Sequence, residues 1–218
     1  RIVSVRERVL RGGRTIVDQG NNGLGRDANA LARISRLTGL HIIMGSGYYT
    51  ANSLNQAVFG KSVEEMADEI VRDITEGVGI TGIKAGLIGE IGTSWPMHDV
   101  EKKSLRAAVE AQKRTGAPIN VHPGRHPDGP MNAARILVDA GADMSRVAFS
   151  HIDGRIRTRE GRLALAKLGC YIEYDLFGYE GHFPGFPGAD PIDLPNDTTR
   201  IYELRDLMEE GFLDRLLI

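Results

Sequence analysis

Cysteine is nearly absent from this sequence of 218 residues, where Cys170 stands alone. A single thiol excludes an internal disulfide framework and a cysteine-based zinc finger. It fits a reducing compartment, so a cytoplasmic location is expected. An excess of either charge is missing too: 27 basic residues face 29 acidic ones, for a formal net charge of −2. That excludes the broad cationic surface that nucleic acid requires. Long apolar runs are lacking as well. The longest uncharged stretch, Leu40 to Gly60, is broken by Ser, Asn, Gln, Thr and Gly, so no membrane span is expected. No basic segment followed by an apolar stretch opens the chain, and no low-complexity tract suggests disorder. What is plentiful is glycine, 27 of 218 residues, well above the usual ~7%. With 41% apolar residues, the chain can bury a sizeable core and make many tight connections.

The dominant pattern alternates short apolar strands with amphipathic helices. Strands are predicted at Thr15–Asp18, His41–Gly45, Leu87–Ile91, Pro118–His122, Val147–His151, Cys170–Asp175 and Arg215–Ile218. The clearest helix spans Ser62 to Thr75. There Val63, Met66, Ala67, Ile70, Val71 and Ile74 share one face, and Ser62 with Glu65 forms a capping box. Further helices are predicted over Asp99–Arg114, Asp27–Leu37 and Val3–Leu10. Gly39, Gly116, Gly141, Gly169 and Gly211 stand where left-handed caps would end helices. Strand starts lie 23 to 46 residues apart, the length of a strand–helix unit with or without an inserted loop, so a parallel α/β sheet is expected. Seven such units favour a TIM (β/α)8 barrel over an open doubly wound sheet, one domain over 1–218 that lacks its first strand. The longest irregular segment, Gly178 to Asp197, reads as a lid or binding loop, with a surface excursion packed by its own aromatics as the alternative.

In such a barrel the active site lies at the C-terminal ends of the strands. Those positions hold Asp18, Tyr48, Tyr49, Glu90, His122, His151 with Asp153, and Asp175. Two histidines and a carboxylate at the same end of nearby strands can converge on a divalent cation such as zinc. His41 starts its strand at the opposite face and is read as structural, as are His98 and His126. Phosphate-loop and dinucleotide patterns fail on inspection: Asn55 and Thr50 stand where each needs glycine. No Gly-x-Ser-x-Gly elbow is present, and Cys170 is read as a small buried hydrophobe.

Four runs carry a resemblance: Gly86-Leu-Ile-Gly-Glu-Ile-Gly-Thr-Ser-Trp-Pro96, Val121-His-Pro-Gly-Arg125, Phe149-Ser-His-Ile-Asp153 and Gly169-Cys-Tyr-Ile-Glu-Tyr-Asp-Leu-Phe-Gly178. With the segment from Thr15 to Tyr49, they resemble the phosphotriesterase-related branch of the amidohydrolase superfamily, collinearly over nearly the whole chain. The resemblance implies a binuclear metal site, two divalent ions with zinc expected, and a bridging hydroxide as nucleophile. It matches His122 and His151 to the histidines of the fifth and sixth strands and Glu90 to the residue bridging the two metals. Lys84 lies before its strand and is not assigned that bridge.

Two departures stand out. The family's first-strand His-x-His pair is nowhere in this sequence, and the aspartate that follows its eighth strand, the expected catalytic residue, would lie beyond Ile218. A segment of a longer enzyme, truncated at both ends, is therefore expected, with no catalytic residue assigned within it. Arg125 is expected to meet an anionic substrate group, or else to pair with Asp128 or Asp153. Asp153 is expected to orient His151 or another group that meets the metal, or else simply to cap its loop. Tyr49, Tyr179 and His182 are candidates to line the pocket, and Asp175 is a strand-end acid without an assigned role. The expected function is a metal-dependent hydrolase using metal-bound hydroxide on a carboxylic ester, lactone or amide of a small molecule. The alternatives are phosphotriester hydrolysis and a non-catalytic barrel fragment. The family also makes a homodimer an expectation.

Overall fold

Every strand expected from the apolar pattern forms, several of them shorter than predicted. A computed structural model describes residues 12–185 and 190–218; the helix predicted over Val3–Leu10 lies outside them. Strands β1 (Thr15–Asp18), β2 (His41–Ser46), β3 (Leu87–Gly92), β4 (Ile119–His122), β5 (Val147–Phe149) and β6 (Tyr171–Glu173) follow one another across a parallel sheet. Strands β7 (Gly181–Phe183) and β8 (Ile192–Leu194) leave it as an antiparallel hairpin, and β9 (Leu216–Leu217) rejoins it beside β6. Chain order and spatial order thus agree around seven staves, as a (β/α)8 barrel requires. Val17 of β1 and Leu217 of β9 line one cavity of about 370 Å3 with Leu87, Ile119 and Val147. The sheet therefore curls until its two edges share an interior, an incomplete barrel.

The helices cover the outer face. They are α1 (Ala28–Thr38), α2 (Gln56–Phe59), α3 (Val63–Thr75), α4 (Asp99–Thr115), α5 (Gly129–Asp139), α6 (Ile152–Arg155), α7 (Arg159–Ala166) and α8 (Asp197–Glu209). The Ser62–Glu65 capping box that starts α3 is present in full. Its buried Met66 and Ile70 join Leu105 and Val109 of α4 and Leu137 of α5 over Ile88, Ile119, Val121, Phe149 and Ile172 of the sheet. Gly39 and Gly116 end α1 and α4 in the left-handed region, at φ 72° in both cases, where a side chain would be strained. No helix among the described residues is long and apolar enough to cross a membrane.

Two local differences from the sequence reading position the site. Strand β5 stops at Phe149 because His151 adopts φ 61°, a left-handed turn that ends the strand. The segment expected to be irregular from Gly178 to Asp197 contains the β7–β8 hairpin, with Phe183 opposite Ile192. Pro184 and Pro191 flank those strands and, lacking N–H groups, limit the pairing. Its Leu194 packs so closely on Gly154 of α6 that a Cβ there would meet the leucine side chain at 2.8 Å.

Candidate metal centre and its cavity

Between β3 and β4 the register runs Ile88 to Ile119 and then Ile91 to Val121, so β3 spends one extra residue at Gly89–Glu90. Such a bulge re-aims a side chain. The backbone passes here only because glycines allow it: a Cβ on Gly45 of β2 would collide with the Gly89 carbonyl oxygen. Glu90, redirected by this bulge, meets His122 at the end of β4 and His151 just past β5. Its Oε1 lies 3.4 Å from His122 Nδ1 and 3.3 Å from His151 Nε2. The two ring nitrogens are 2.9 Å apart. Together they are one set of ligand atoms within 4.8 Å of one another. Donors held about 2.0–2.1 Å from a tetrahedral zinc are themselves separated by about 3.3–3.4 Å. Two imidazoles and a carboxylate at these separations therefore fit a divalent cation.

The neighbours of this triad set its charge. Asp175, two residues past β6, accepts from His151 Nδ1 at 2.8 Å and from its backbone N–H at 3.1 Å. That bond fixes the ring and leaves Nε2 facing Glu90 and His122. Burial pushes the Glu90 carboxyl up, but the hydrogen bonds and charges of His122 and His151 outweigh it and hold the group at about 2. Burial also drives His122 down, against the pull of Glu90. For His151 burial is outweighed by Asp175 and Glu90, which lift it to about 9. Beneath the triad, Ser150 Oγ donates to Glu173 at 2.5 Å and Asn120 Nδ2 donates to the same carboxylate at 3.2 Å. Strand alternation puts Asn120 and His122 on one face, so this network lies one layer deeper in the barrel.

Beside His122 opens a cavity of about 140 Å3 whose walls include Tyr49, Thr93, Trp95, Arg125 and Arg155. The Tyr49 hydroxyl lies 3.1 Å from His122 Nε2, and burial pushes its pKa up, so it stays a phenol. Arg125 donates to the backbone oxygen of Asp190 at 3.0 Å, which ties this wall to the loop before β8. The structure thus brings Glu90, His122, His151, Tyr49 and Arg125 together. It does not bring Tyr179, which is 60% exposed, or His182, which pairs with Asp193 on the exposed hairpin. The expectation that Asp153 orients His151 is corrected: its Oδ2 accepts from Arg200 Nε at 2.7 Å and from Leu176 N–H at 3.2 Å. Asp175 takes that role, and its place at the exit of the next strand was the available signal. Arg155 went unnoticed in the sequence because nothing in its spacing shows that it folds back under Pro123, whose oxygen its Nε reaches at 3.1 Å. His98 caps α4, and His126 stacks on Trp95.

A sequence model of the phosphotriesterase family matches residues 2–218. The N-acetyltaurine hydrolase of Rattus norvegicus is 41% identical over 221 residues, covering 100% of this chain and 63% of that protein. Among solved structures, a resiniferatoxin-binding protein from Rhodobacter sphaeroides superposes with a TM-score of 0.91 at 35% identity, over 99% of this chain and 59% of its own. A mutant PTE-like lactonase from Deinococcus radiodurans gives 0.84 at 30% identity, over 99% of this chain and 66% of its own. The chain spans about three fifths of the length of the curated relatives it matches.

Proposed function

This chain belongs to the phosphotriesterase family, and on that premise we propose that it forms most of the barrel of a metal-dependent hydrolase. Its substrate is a small molecule with a carboxylic amide, ester or lactone bond, an N-acyl amide with an anionic end above all. The observation that carries this reading is the Glu90–His122–His151 donor set opening directly onto a cavity walled by guanidinium groups. A relative named for hydrolysis of N-acetyltaurine supports the amide, and a neighbour named as a lactonase supports carboxylic rather than phosphoryl chemistry.

Glu90, His122 and His151 are the proposed ligands, and the nitrogen-rich donor set favours zinc. A cation held there would polarise the acyl oxygen and lower the pKa of water. A second ion, expected from the family, would need donors beyond this set. Asp175 keeps the His151 ring in one orientation and tautomer. Tyr49, held as a phenol against His122, can donate to an oxygen of the bound substrate. The arginine-lined wall favours an anionic substrate over a neutral phosphotriester. A cytoplasmic setting suits the lone buried thiol, which burial pushes up to about 12 and so keeps unreactive.

The test is an assay of the zinc-loaded full-length protein carrying this chain, with N-acetyltaurine, a neutral N-alkyl acetamide, a γ-lactone and an aryl phosphotriester. Turnover of the N-acyl aminosulfonate, lost by 10²-fold or more in Glu90→Gln and His122→Ala, is expected. Turnover of the phosphotriester alone, or activity indifferent to both substitutions, would overturn the reading.

A further inference from the structure

Among the described residues Arg155, Arg162 and Arg200 are deeply buried, with 6%, 4% and 0% of their surface exposed. Two of them have a carboxylate partner, Arg162 with Glu203 at 3.1 Å and Arg200 with Asp153 at 2.7 Å. Arg155 has none. Its Nε donates to the Pro123 oxygen, and among the described residues no carboxylate comes within ion-pair distance of its terminal nitrogens. Burial, and then the charge of Arg125, hold it down at about 10, so it remains a cation at neutral pH. Asp175 and Asp153 attract it only from beyond ion-pair distance, and a buried guanidinium without a direct anionic contact is costly unless something anionic meets it.

Arg155 lines the same cavity as His122, and Arg125 borders that space too. Gly124, also on its wall, packs directly on the Ser94 backbone, which a Cβ there would meet at 2.8 Å. At about 140 Å3 the cavity holds several times the ~30 Å3 share of one water. It falls short of the ~300–1,000 Å3 that drug-sized ligands occupy. Asp190, the acidic residue on this wall, is exposed, and its backbone oxygen rather than its carboxylate meets Arg125.

We propose that Arg155, backed by Arg125, is the subsite that grips the anionic end of the substrate, a sulfonate, carboxylate or phosphonate on a short aliphatic stem. The stem then leads the scissile acyl group toward His122. The inference rests on the hydrolase reading for treating the bound molecule as substrate, and it makes Arg155 the specificity-determining residue of that site. The Nε bond to Pro123 uses one nitrogen of the guanidinium, and Nη1 and Nη2 are the atoms proposed to meet the anion in a two-pronged contact.

Calorimetric titration of the metal-free protein tests this without any turnover. The probes are ethanesulfonate, propionate and ethylphosphonate, with N-methylacetamide as the neutral control. At least one anion is expected to bind, and Arg155→Met to weaken it about tenfold or more. Arg155→Lys should restore part of the loss, and the neutral probe should not respond. Absence of anion binding in the wild-type protein, or equal affinity in Arg155→Met, overturns the proposal. Should Arg155→Met not fold, a crystal structure of the wild-type protein with ethanesulfonate decides: the anion lies within hydrogen-bond reach of Arg155, or the proposal fails. A protein that binds anions through Arg155 but hydrolyses none of the substrates above refutes only the hydrolase reading. One that hydrolyses N-acetyltaurine with an unchanged KM in Arg155→Met refutes only this inference.

Discussion

His151 carries two unusual features at once, a left-handed backbone and a ring held between two carboxylates. At φ 61° a non-glycine residue is strained by roughly 1–2 kcal/mol. The ring is held in compensation by Asp175 and Glu90. Without metal, its pKa of about 9 against the ordinary 6.5 means that its stabilising contribution is complete below about pH 6.5. It is lost as pH rises through 9. Glu90 works in the other direction: held at about 2, it contributes above its ordinary carboxylate range and loses that only in strong acid. Metal-free protein should therefore lose on the order of 2 kcal/mol between pH 6.5 and 9.5, measured by urea unfolding, and His151→Ala should lack this slope. A ligand nitrogen must shed its proton to bind a cation, so apparent zinc affinity should rise by about tenfold per pH unit up to pH 9. Affinity independent of pH in that range would show that His151 is not a ligand.

At the scale of elements, a polar junction holds the hairpin side of the cavity. Arg200 of α8 is fully buried and joins Asp153 of α6 at 2.7 Å, Asp197 at 2.8 Å and the Tyr179 backbone oxygen at 2.6 Å. Asp197 in turn receives the Gly178 N–H at 3.0 Å. One guanidinium thus ties α8, α6 and the loop leading to β7. Removing it leaves Asp153 charged, buried and unpaired, so Arg200→Met should cost about 3–5 kcal/mol in chemical denaturation. Adding Asp153→Leu should recover part of that cost, since the stranded charge goes too. A loss below 1 kcal/mol in the single variant would mean that Asp153 simply takes up its own proton, toward which burial already pushes it.

Across the whole molecule, the three proposed ligands come from β3, β4 and the turn after β5, separated by 32 and 29 positions in the chain. A cation there would fasten three staves. Zinc at a hundredfold excess over its Kd should therefore raise unfolding free energy by about 2.7 kcal/mol, and Glu90→Ala or His122→Ala should abolish the gain. Calorimetric melting with and without chelator checks it. Much of this was legible in sequence. The 3.6-residue apolar face and the capping box define α3, strand spacing defines the parallel sheet, and glycines mark the ends of α1 and α4, because these signals are local and depend only on backbone geometry. The histidines and Glu90 were legible as strand-end residues for the same reason. Other features depend on residues far apart in the chain. That Asp175 rather than Asp153 meets His151, that Tyr179 stays in solvent, and that Arg155 is buried without a carboxylate are decided by which loops fold over which strand ends. No local pattern encodes those encounters, so only the tertiary structure could decide them.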